Sequence, residues 1–397
     1  MAGCSIFLKE NLNYIAGFLN SDICSNILDL ISPTLNYEVG HISSLPIIID
    51  ESKKDKIENI VLDNISLCEN DWNEYEISWN FKKHPILYFN NTLFENNIIS
   101  LEEYKKKQFN KLKQSEMKLN EIFSEIYKIP HTNYIENKHV SINQPNSEDI
   151  VKSFISYSVG CMFGRYSLDQ EGLQFAGGNF DMNNYHKFIP DDDNIIPVLD
   201  TEYFEDDIVG RFVEFVKTCF GQRHLEENLE FIASTISNSN KPPREKIRDY
   251  FLKDFFNNHN KIYKKRPIYW QFSSGKENAF NCLIYTHRFN SGIIAKLRTE
   301  YLHKTQKAIE QRIYNCENIL KSTESNLEKT KVMKEKNKLI KQLEESIEFD
   351  EALNYVSNLN INLDWDDGIK FNYEKFQNIL ISKDGVKDKK INLLKKI

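Results

Sequence analysis

A run of cations stands directly before two short apolar segments that favour β-strands. The strands are predicted at Ile268–Phe272 and Phe280–Tyr285, with a turn at Ser273–Lys276. A β-hairpin with cations at both ends can follow a phosphate backbone and bind it without sequence choice. A core hairpin with solvated lysines fits the same pattern. The candidate DNA-contacting residues here are Lys264, Lys265, Arg266, Trp270, Lys276 and Arg288.

A second stretch, Tyr157–Gly178, is rich in glycine. It holds five of the chain's 14 glycines, at positions 160, 164, 172, 177 and 178, with large side chains between them. Because glycine adopts positive φ and allows close approach, this pattern predicts a tight element with several turns. A buried turn is the plainest interpretation. Arg165 and Tyr166 would then order this element, or they would meet DNA.

Clustered carboxylates raise the alternative of a metal-dependent nuclease. Asp191, Asp192 and Asp193 precede an acidic stretch that ends at Asp206 and Asp207. Such clusters can bind a hard divalent cation. The Glu-x-Lys that a common nuclease motif needs after Pro-Asp does not follow, however. Asp206 and Asp207 instead stand at the start of a predicted helix, where negative charge meets the helix dipole. We therefore expect no metal site.

Bulk composition indicates a folded, soluble protein. The chain has 397 residues, of which 40% are hydrophobic and 27% charged, so it can form several domains. No apolar run is long enough for a membrane span, and no secretion signal opens the chain, so we expect a cytoplasmic protein. The seven cysteines are spaced singly. The net charge of -7 does not by itself indicate a nucleic-acid binder.

Hydrophobic periodicity predicts mostly helices. Three are expected near Asn11–Leu30, Lys53–Leu67 and Ser100–Tyr127, the first ended by Pro33. Further helices are expected at Ile208–Phe220 and Lys241–Phe256. Between Ile293 and Asp367 there is no proline or glycine. The apolar residues of this segment recur along one side, which predicts a coiled coil, or a helical hairpin that reverses near Ser322–Ser325.

Several strings of residues resemble a known family, in order, over nearly the whole chain. They are SWNFKKHPIL (Ser78–Leu87), LNEIFSEIYKI (Leu119–Ile129), VGCMFGRYSLDQEGL (Val159–Leu173), DNIIPVLDTEYFEDDIVGRFVEFVKTCFG (Asp193–Gly221), YFLKDFFNNHNKIYKKRPIYWQFSSGKENAFNCLIYTHRFN (Tyr250–Asn290) and DWDDGIKFNYEKFQ (Asp364–Gln377). They resemble the C-terminal portion of PglX proteins, the adenine-specific DNA methyltransferases of BREX phage-defence systems, which are related to fused restriction-modification methyltransferases.

Hydrophobic periodicity and a polar connector over residues 131–147 indicate a fold class and a division into regions, and the resemblance adds the target-recognition and spacer interpretations. We expect an α+β, helix-rich, multi-domain chain. Residues 1–50 would close a small mixed domain of the target-recognition type, and residues 51–147 would be helical. Residues 148–292 would form a central α+β domain with the hairpin. Residues 293–397 would hold a long helical spacer and a C-terminal segment.

The catalytic motifs of the resembled family are not in this sequence. Adenine methylation there uses a glycine-rich turn for S-adenosylmethionine and an Asn/Asp-Pro-Pro-Tyr/Phe element for the base. Asn143–Asn146 and Lys241–Arg244 come nearest to the second element and lack its ring. We therefore expect no catalytic residue and no cofactor in this chain, with S-adenosylmethionine on a separate or upstream methyltransferase domain.

Two functions stay open on the sequence. The first is a specificity and DNA-docking portion that binds double-stranded DNA and works with a methyltransferase domain or subunit. Other phage-defence proteins are possible partners. The second is a protein-interaction module that docks a defence-complex partner without touching DNA. The acidic pI of about 5.8 favours the second, and the basic aromatic hairpin favours the first.

Overall fold

The computed structural model describes residues 4–32, 36–130, 135–381 and 389–397, which form two compact units. The first unit comprises Met1–Asn80 and Ile98–Ser147, and the second comprises Phe81–Asn97 and Glu148–Ile397. The predicted helix-rich α+β class is confirmed. The finer division into four regions remains a prediction. Pro33 lies outside the described residues. None of the described helices is long and apolar enough to cross a membrane.

The first unit is helical. Its helices are α1 (Leu12–Leu19), α2 (Asp22–Ile31), α3 (Val39–Ser43), α4 (Lys54–Asn73) and most of α5 (Phe94–Tyr127). The single helix predicted over Asn11–Leu30 is wrong, because the chain breaks at Asn20. Ser21 starts a new helix by accepting the N–H of Cys24 at 3.3 Å. A core of apolar residues, including Phe18 and Phe123 with rings 5.7 Å apart, joins α1 to α5.

The second unit contains the remaining helices and all the strands that the described residues form. Its helices are α6 (Ser147–Met162), α7 (Ile208–Phe220), α8 (Leu225–Ile236), α9 (Pro243–Tyr250), α10 (Phe256–Ile262), α11 (Ile293–Lys296), α12 (His303–Ser322), α13 (Asn326–Asn358) and α14 (Gly368–Glu374). Its strands are β1 (Ile196–Pro197), β2 (Tyr269–Ser273), β3 (Asn281–Tyr285), β4 (Ile379–Ile381) and β5 (Lys389–Ile391). Two π-helical turns, Phe251–Phe255 and Leu297–Leu302, carry α9 into α10 and α11 into α12.

The predicted hairpin is the centre of a small antiparallel sheet. The strand order is β1–β3–β2, and Trp270 pairs with Ile284 while Phe272 pairs with Cys282. β4 and β5 form a separate two-stranded sheet. The hairpin side chains pack with α11, α13 and the C-terminal segment in one apolar cluster that includes Phe349 and Phe376. The hairpin is thus a core element of this unit.

The two long helices α12 and α13 run antiparallel. Arg312 of α12 pairs with Glu335 of α13 at 2.7 Å, and Gln306, which is earlier in α12, donates to the carbonyl of Ser346, which is later in α13, at 3.2 Å, so the helices run in opposite directions. Ile309, Cys316, Val332 and Leu339 form the buried seam between them. The chain reverses between Ser322 and Asn326, and the side chain of Ser325 caps α13. The role of a spacer remains a prediction.

Candidate nucleic-acid interface

The glycine-rich segment ends α6 and packs around two contacts that only glycine allows. A Cβ on Gly160 would lie 2.5 Å from the Tyr166 ring, and one on Gly164 would lie 2.6 Å from the Phe180 ring. Gly164 also has a φ of +72°, in the left-handed region. Tyr166 is buried and stacks on Tyr157, with ring centroids 5.3 Å apart. Tyr166 therefore offers no exposed ring to DNA, and its predicted DNA contact is corrected to a packing role.

Arg165 ties this segment to the hairpin. Its Nε donates to the hydroxyl of Tyr166 at 3.1 Å, and its Nη1 donates to the hydroxyl of Tyr285 in β3 at 3.0 Å. The Tyr285 hydroxyl in turn donates to the carbonyl of Phe175 at 2.7 Å. A guanidinium withdrawn from water needs such partners. Of the two roles predicted for Arg165, the contacts match the ordering of the glycine-rich segment.

Arg288 also binds internal groups. It donates to the carbonyls of Phe163 (3.2 Å), Asp191 (2.7 Å) and Asp192 (2.9 Å), and its guanidinium lies 4.1 Å from the ring centroid of Phe180. Phe163 directly follows α6, so the cation meets the negative end of that helix. Through these three bonds Arg288 holds the end of α6 to residues 191–193, which we call the acidic turn.

Trp270 and Lys276 lie at different depths on the same hairpin. The Trp270 side chain is 1% exposed and packs edge-on against Phe376, with ring centroids 5.7 Å apart. Its predicted contact with DNA is corrected, because the ring lies in the core. Lys276 stands on the hairpin turn with its side chain 89% exposed. The strand between the turn and Tyr269 spans about 17 Å, so Lys276 is distant from the cations that precede β2.

The turn between α10 and β2 presents the remaining candidates. Lys264 and Lys265 have φ values of 51° and 61°, two consecutive residues in the left-handed region. Lysine rarely adopts this conformation, and such strain clusters at functional sites. The turn is held by backbone bonds from Lys264 N to Lys261 O (3.1 Å) and from Lys265 N to Asn260 O (2.9 Å). We call the segment Lys261–Arg266 the basic turn.

The cations of the basic turn face solvent. Lys261, Lys264, Lys265 and Arg266 are all exposed. None of them forms an ion pair with another residue in the described parts of the chain. Sequence reasoning missed a fifth cation, Lys396. The Nδ2 of Asn260 donates to its carbonyl at 3.5 Å, which brings this exposed lysine beside the basic turn.

A buried histidine fixes the two ends of the basic turn. The Nε2 of His259 in α10 accepts the backbone N–H groups of Ile268 (3.1 Å) and Tyr269 (3.2 Å) at the start of β2. Burial, and to a lesser degree the charge of Arg165, lowers the pKa of His259 to about 3. The imidazole is therefore neutral and able to accept both bonds at neutral pH. This histidine was not predicted as a site residue.

Two carboxylates of the acidic turn, those of Asp191 and Asp193, bind internal groups. Asp191 and Asp193 each accept the N–H of Ile195, at 3.1 and 3.0 Å, and Asp193 also pairs with Lys296 at 2.9 Å. Burial raises the pKa of Asp191, and the nearby negative charge of Asp193 raises it further. Asp207 caps α7 by accepting the N–H of Val209 at 3.0 Å, which confirms its predicted place at the helix start. These contacts are those of structural carboxylates.

Comparison with known proteins shows what the chain is similar to. No family model matches it. It is related along nearly its whole length to adenine-specific methyltransferases, and it corresponds to a C-terminal part of them. One relative is the adenine-specific methyltransferase PglX of Lacticaseibacillus casei (strain Zhang), 37% identical over 387 residues. Another is the adenine-specific methyltransferase BrxX of Escherichia coli O9:H4 (strain HS), 35% identical over 412 residues.

The extent of the match is unequal on the two sides. The alignments cover 94% and 95% of this chain but only 32% and 34% of the two relatives. The chain thus spans about a third of the length of the curated relatives it matches. The resemblance predicted from the sequence is confirmed.

Proposed function

We propose that this chain is a DNA-docking part of a PglX-type adenine-specific DNA methyltransferase of a BREX phage-defence system. In this role it binds the phosphate backbone of double-stranded DNA and helps to hold the duplex for a methyltransferase domain. The relationship to PglX and BrxX supports the methyltransferase context. The observation that carries DNA docking is the basic turn, with four exposed cations that pair with no other described residue.

The geometry of the basic turn supports phosphate binding in particular. Lys264 and Lys265 are held in a strained backbone conformation by His259 and by the end of α10, so their positions do not depend on flexible backbone. Preordered cations lose less conformational entropy when they bind a phosphate. Contacts of this kind give affinity and orientation without base readout. Base recognition is assigned to other residues.

The chemistry of methyl transfer is assigned to another domain. This chain's sequence contains neither the glycine-rich S-adenosylmethionine turn nor the Asn/Asp-Pro-Pro-Tyr/Phe element. We propose that both belong to the part of the relatives that this chain does not cover, on the same polypeptide or on a separate subunit.

The test replaces the cations of the basic turn. Lys264, Lys265 and Arg266 are changed together to alanine, and binding to a labelled duplex is followed by fluorescence anisotropy at several salt concentrations. Each lost phosphate contact lowers the slope of log K against log salt by about 0.9. The matched control changes Lys304, Lys307 and Lys321, three exposed lysines of α12, to alanine. Unchanged affinity and slope in the basic-turn variant would refute this docking role.

A further inference from the structure

An open groove of about 1040 Å³ runs along α13, and Lys and Arg are half of the residues that line it. Four of its lysines recur at steps of three and four residues, so they lie along one face of the helix. They are Lys331, Lys334, Lys338 and Lys341. Arg312 and Lys329 add two more cations, while Glu277 and Glu335 are the carboxylates among the lining residues. The groove is therefore positive on a chain whose net charge is -7.

The hairpin turn beside this groove carries one more lysine, Lys276, next to the lining residue Glu277. Gln342 of α13 donates to the carbonyl of Glu277 at 3.1 Å. Glu345, one helical turn further on, accepts the hydroxyl of Ser274 at 2.7 Å and the N–H of Glu277 at 2.9 Å. These bonds hold the turn that carries Lys276 against α13. We call Lys276 and the four helical lysines together the lysine stripe.

Most charges of the lysine stripe lack a strong internal partner. Lys338 pairs with Asp200 at 2.6 Å, and Lys276 meets Glu277 only at 3.7 Å. Lys331, Lys334 and Lys341 are exposed and pair with no other residue that the structure describes. Like charges on one helical face repel each other, and this repulsion destabilises the free chain. A polyanion bound in the groove removes the repulsion.

We infer that the lysine stripe binds consecutive phosphates of a DNA strand at a second site, apart from the basic turn. This inference rests on the proposed DNA-docking function. From Lys331 to Lys341 the helix rises about 15 Å. A helix face of this length can lie against several phosphates of one strand, whose spacing along the axis of B-form DNA is about 3.4 Å.

The experiment compares the full chain with a variant of the stripe. Lys331, Lys334 and Lys341 are changed to alanine, and Lys338 is kept because its loss would leave Asp200 without its ion pair. Alanine favours helix, so α13 stays folded. Binding to a labelled duplex long enough to reach both surfaces is measured against salt. We expect the slope of log K against log salt to fall by up to about 2.7, for three phosphates at about 0.9 each.

The outcomes separate this inference from the proposed function. The matched control is again the α12 variant of Lys304, Lys307 and Lys321, which removes the same charge. A lower slope in the stripe variant, together with an unchanged slope in the α12 control, supports the second site. An unchanged slope there, with a lower slope in the basic-turn variant, overturns the second site and leaves docking intact. Equal losses in the stripe and α12 variants indicate a general charge effect and also overturn it. An absence of DNA binding by the unmodified chain would refute both the second site and the proposed docking function.

Discussion

The Nε2 of His259 accepts the backbone N–H of Tyr269 at 3.2 Å, and through this bond the end of α10 is tied to the first residue of β2. The basic turn lies between these two residues. Its conformation therefore depends on a buried imidazole that is neutral at neutral pH. The arrangement separates the residues that shape the turn from the residues that would bind DNA.

Changing His259 to phenylalanine should destabilise the second unit. The ring volume is kept, but the N–H groups of Ile268 and Tyr269 lose their acceptor. A buried donor left without a partner costs about 1–3 kcal/mol, so we expect a loss of roughly 2–6 kcal/mol for the pair. Urea denaturation measures it. A glutamine at the same position supplies an acceptor and should cost less. Equal stability of the phenylalanine variant and the unmodified chain would contradict this role.

The low pKa of His259 predicts a pH dependence of stability. Its folded-state pKa of about 3 lies below the ordinary value of about 6.5, because burial disfavours the charged ring. The unfolded chain therefore takes up a proton that the folded chain excludes. The contribution to stability is fully present above about pH 6.5 and is lost as the pH falls towards 3. Denaturation measured from neutral to acidic pH should show that the free energy of unfolding falls less with acid in the His259→Gln variant than in the unmodified chain.

Gly160 should not tolerate alanine. The new Cβ would lie 2.5 Å from the Tyr166 ring, inside a packed core. Overpacking of this kind costs about 1–3 kcal/mol, more than the helix propensity that alanine adds. Thermal unfolding measures the change. The control is Gly210→Ala in α7, where the nearest atoms lie 4.0 Å from the new Cβ. We expect no destabilisation there, and equal effects at both positions would refute the packing argument.

Lys265→Gly should separate stability from binding. Glycine adopts the φ of 61° found at this position without strain, so the variant should be as stable as the unmodified chain or more stable by up to about 1 kcal/mol. It also removes one cation, so the slope of DNA binding against salt should fall by about 0.9. Denaturation and anisotropy on the same preparation test both parts. A lower stability would contradict the strain, and an unchanged slope would contradict the phosphate contact.

Glu345→Ala should loosen the hairpin turn. The carboxylate accepts the hydroxyl of Ser274 and the N–H groups of Glu277 and Ala279, at 2.7, 2.9 and 3.2 Å. Hydrogen bonds to a charged group contribute about 1.5–3 kcal/mol each, partly offset here by solvent, so we expect a loss of about 2–4 kcal/mol. Hydrogen exchange at the amides of Glu277 and Ala279 should become faster. Glutamine, which keeps one oxygen acceptor, should give a smaller effect.

Local signals predicted some boundaries well. The helix predicted at Ile208–Phe220 has these bounds, because Asp207 is a strong N-cap and its bonds to Val209 and Gly210 lie within one turn of the chain. The reversal predicted near Ser322–Ser325 also follows from a local cap, the side chain of Ser325. In both cases residues close in sequence determine the geometry.

The features that the sequence did not predict depend on contacts between residues far apart in the chain. The exposure of Trp270 depends on Phe376, more than a hundred residues further along the chain, so its aromatic character alone could not place it in the core. The lysine spacing of α13 is visible in the sequence. Its meaning as a groove depends on the contact of Glu277 with Gln342, which only the fold reveals. The acceptor role of His259 is likewise a tertiary contact.

The most direct test of DNA docking is equilibrium binding of the full chain to a labelled duplex across a series of salt concentrations. Seven cations, the basic turn and three unpaired lysines of the stripe, predict a slope of log K against log salt of up to about -6. We expect tight binding at low salt that weakens steeply as salt is added. An absence of binding at the lowest salt concentration would contradict the account and favour a protein-interaction module.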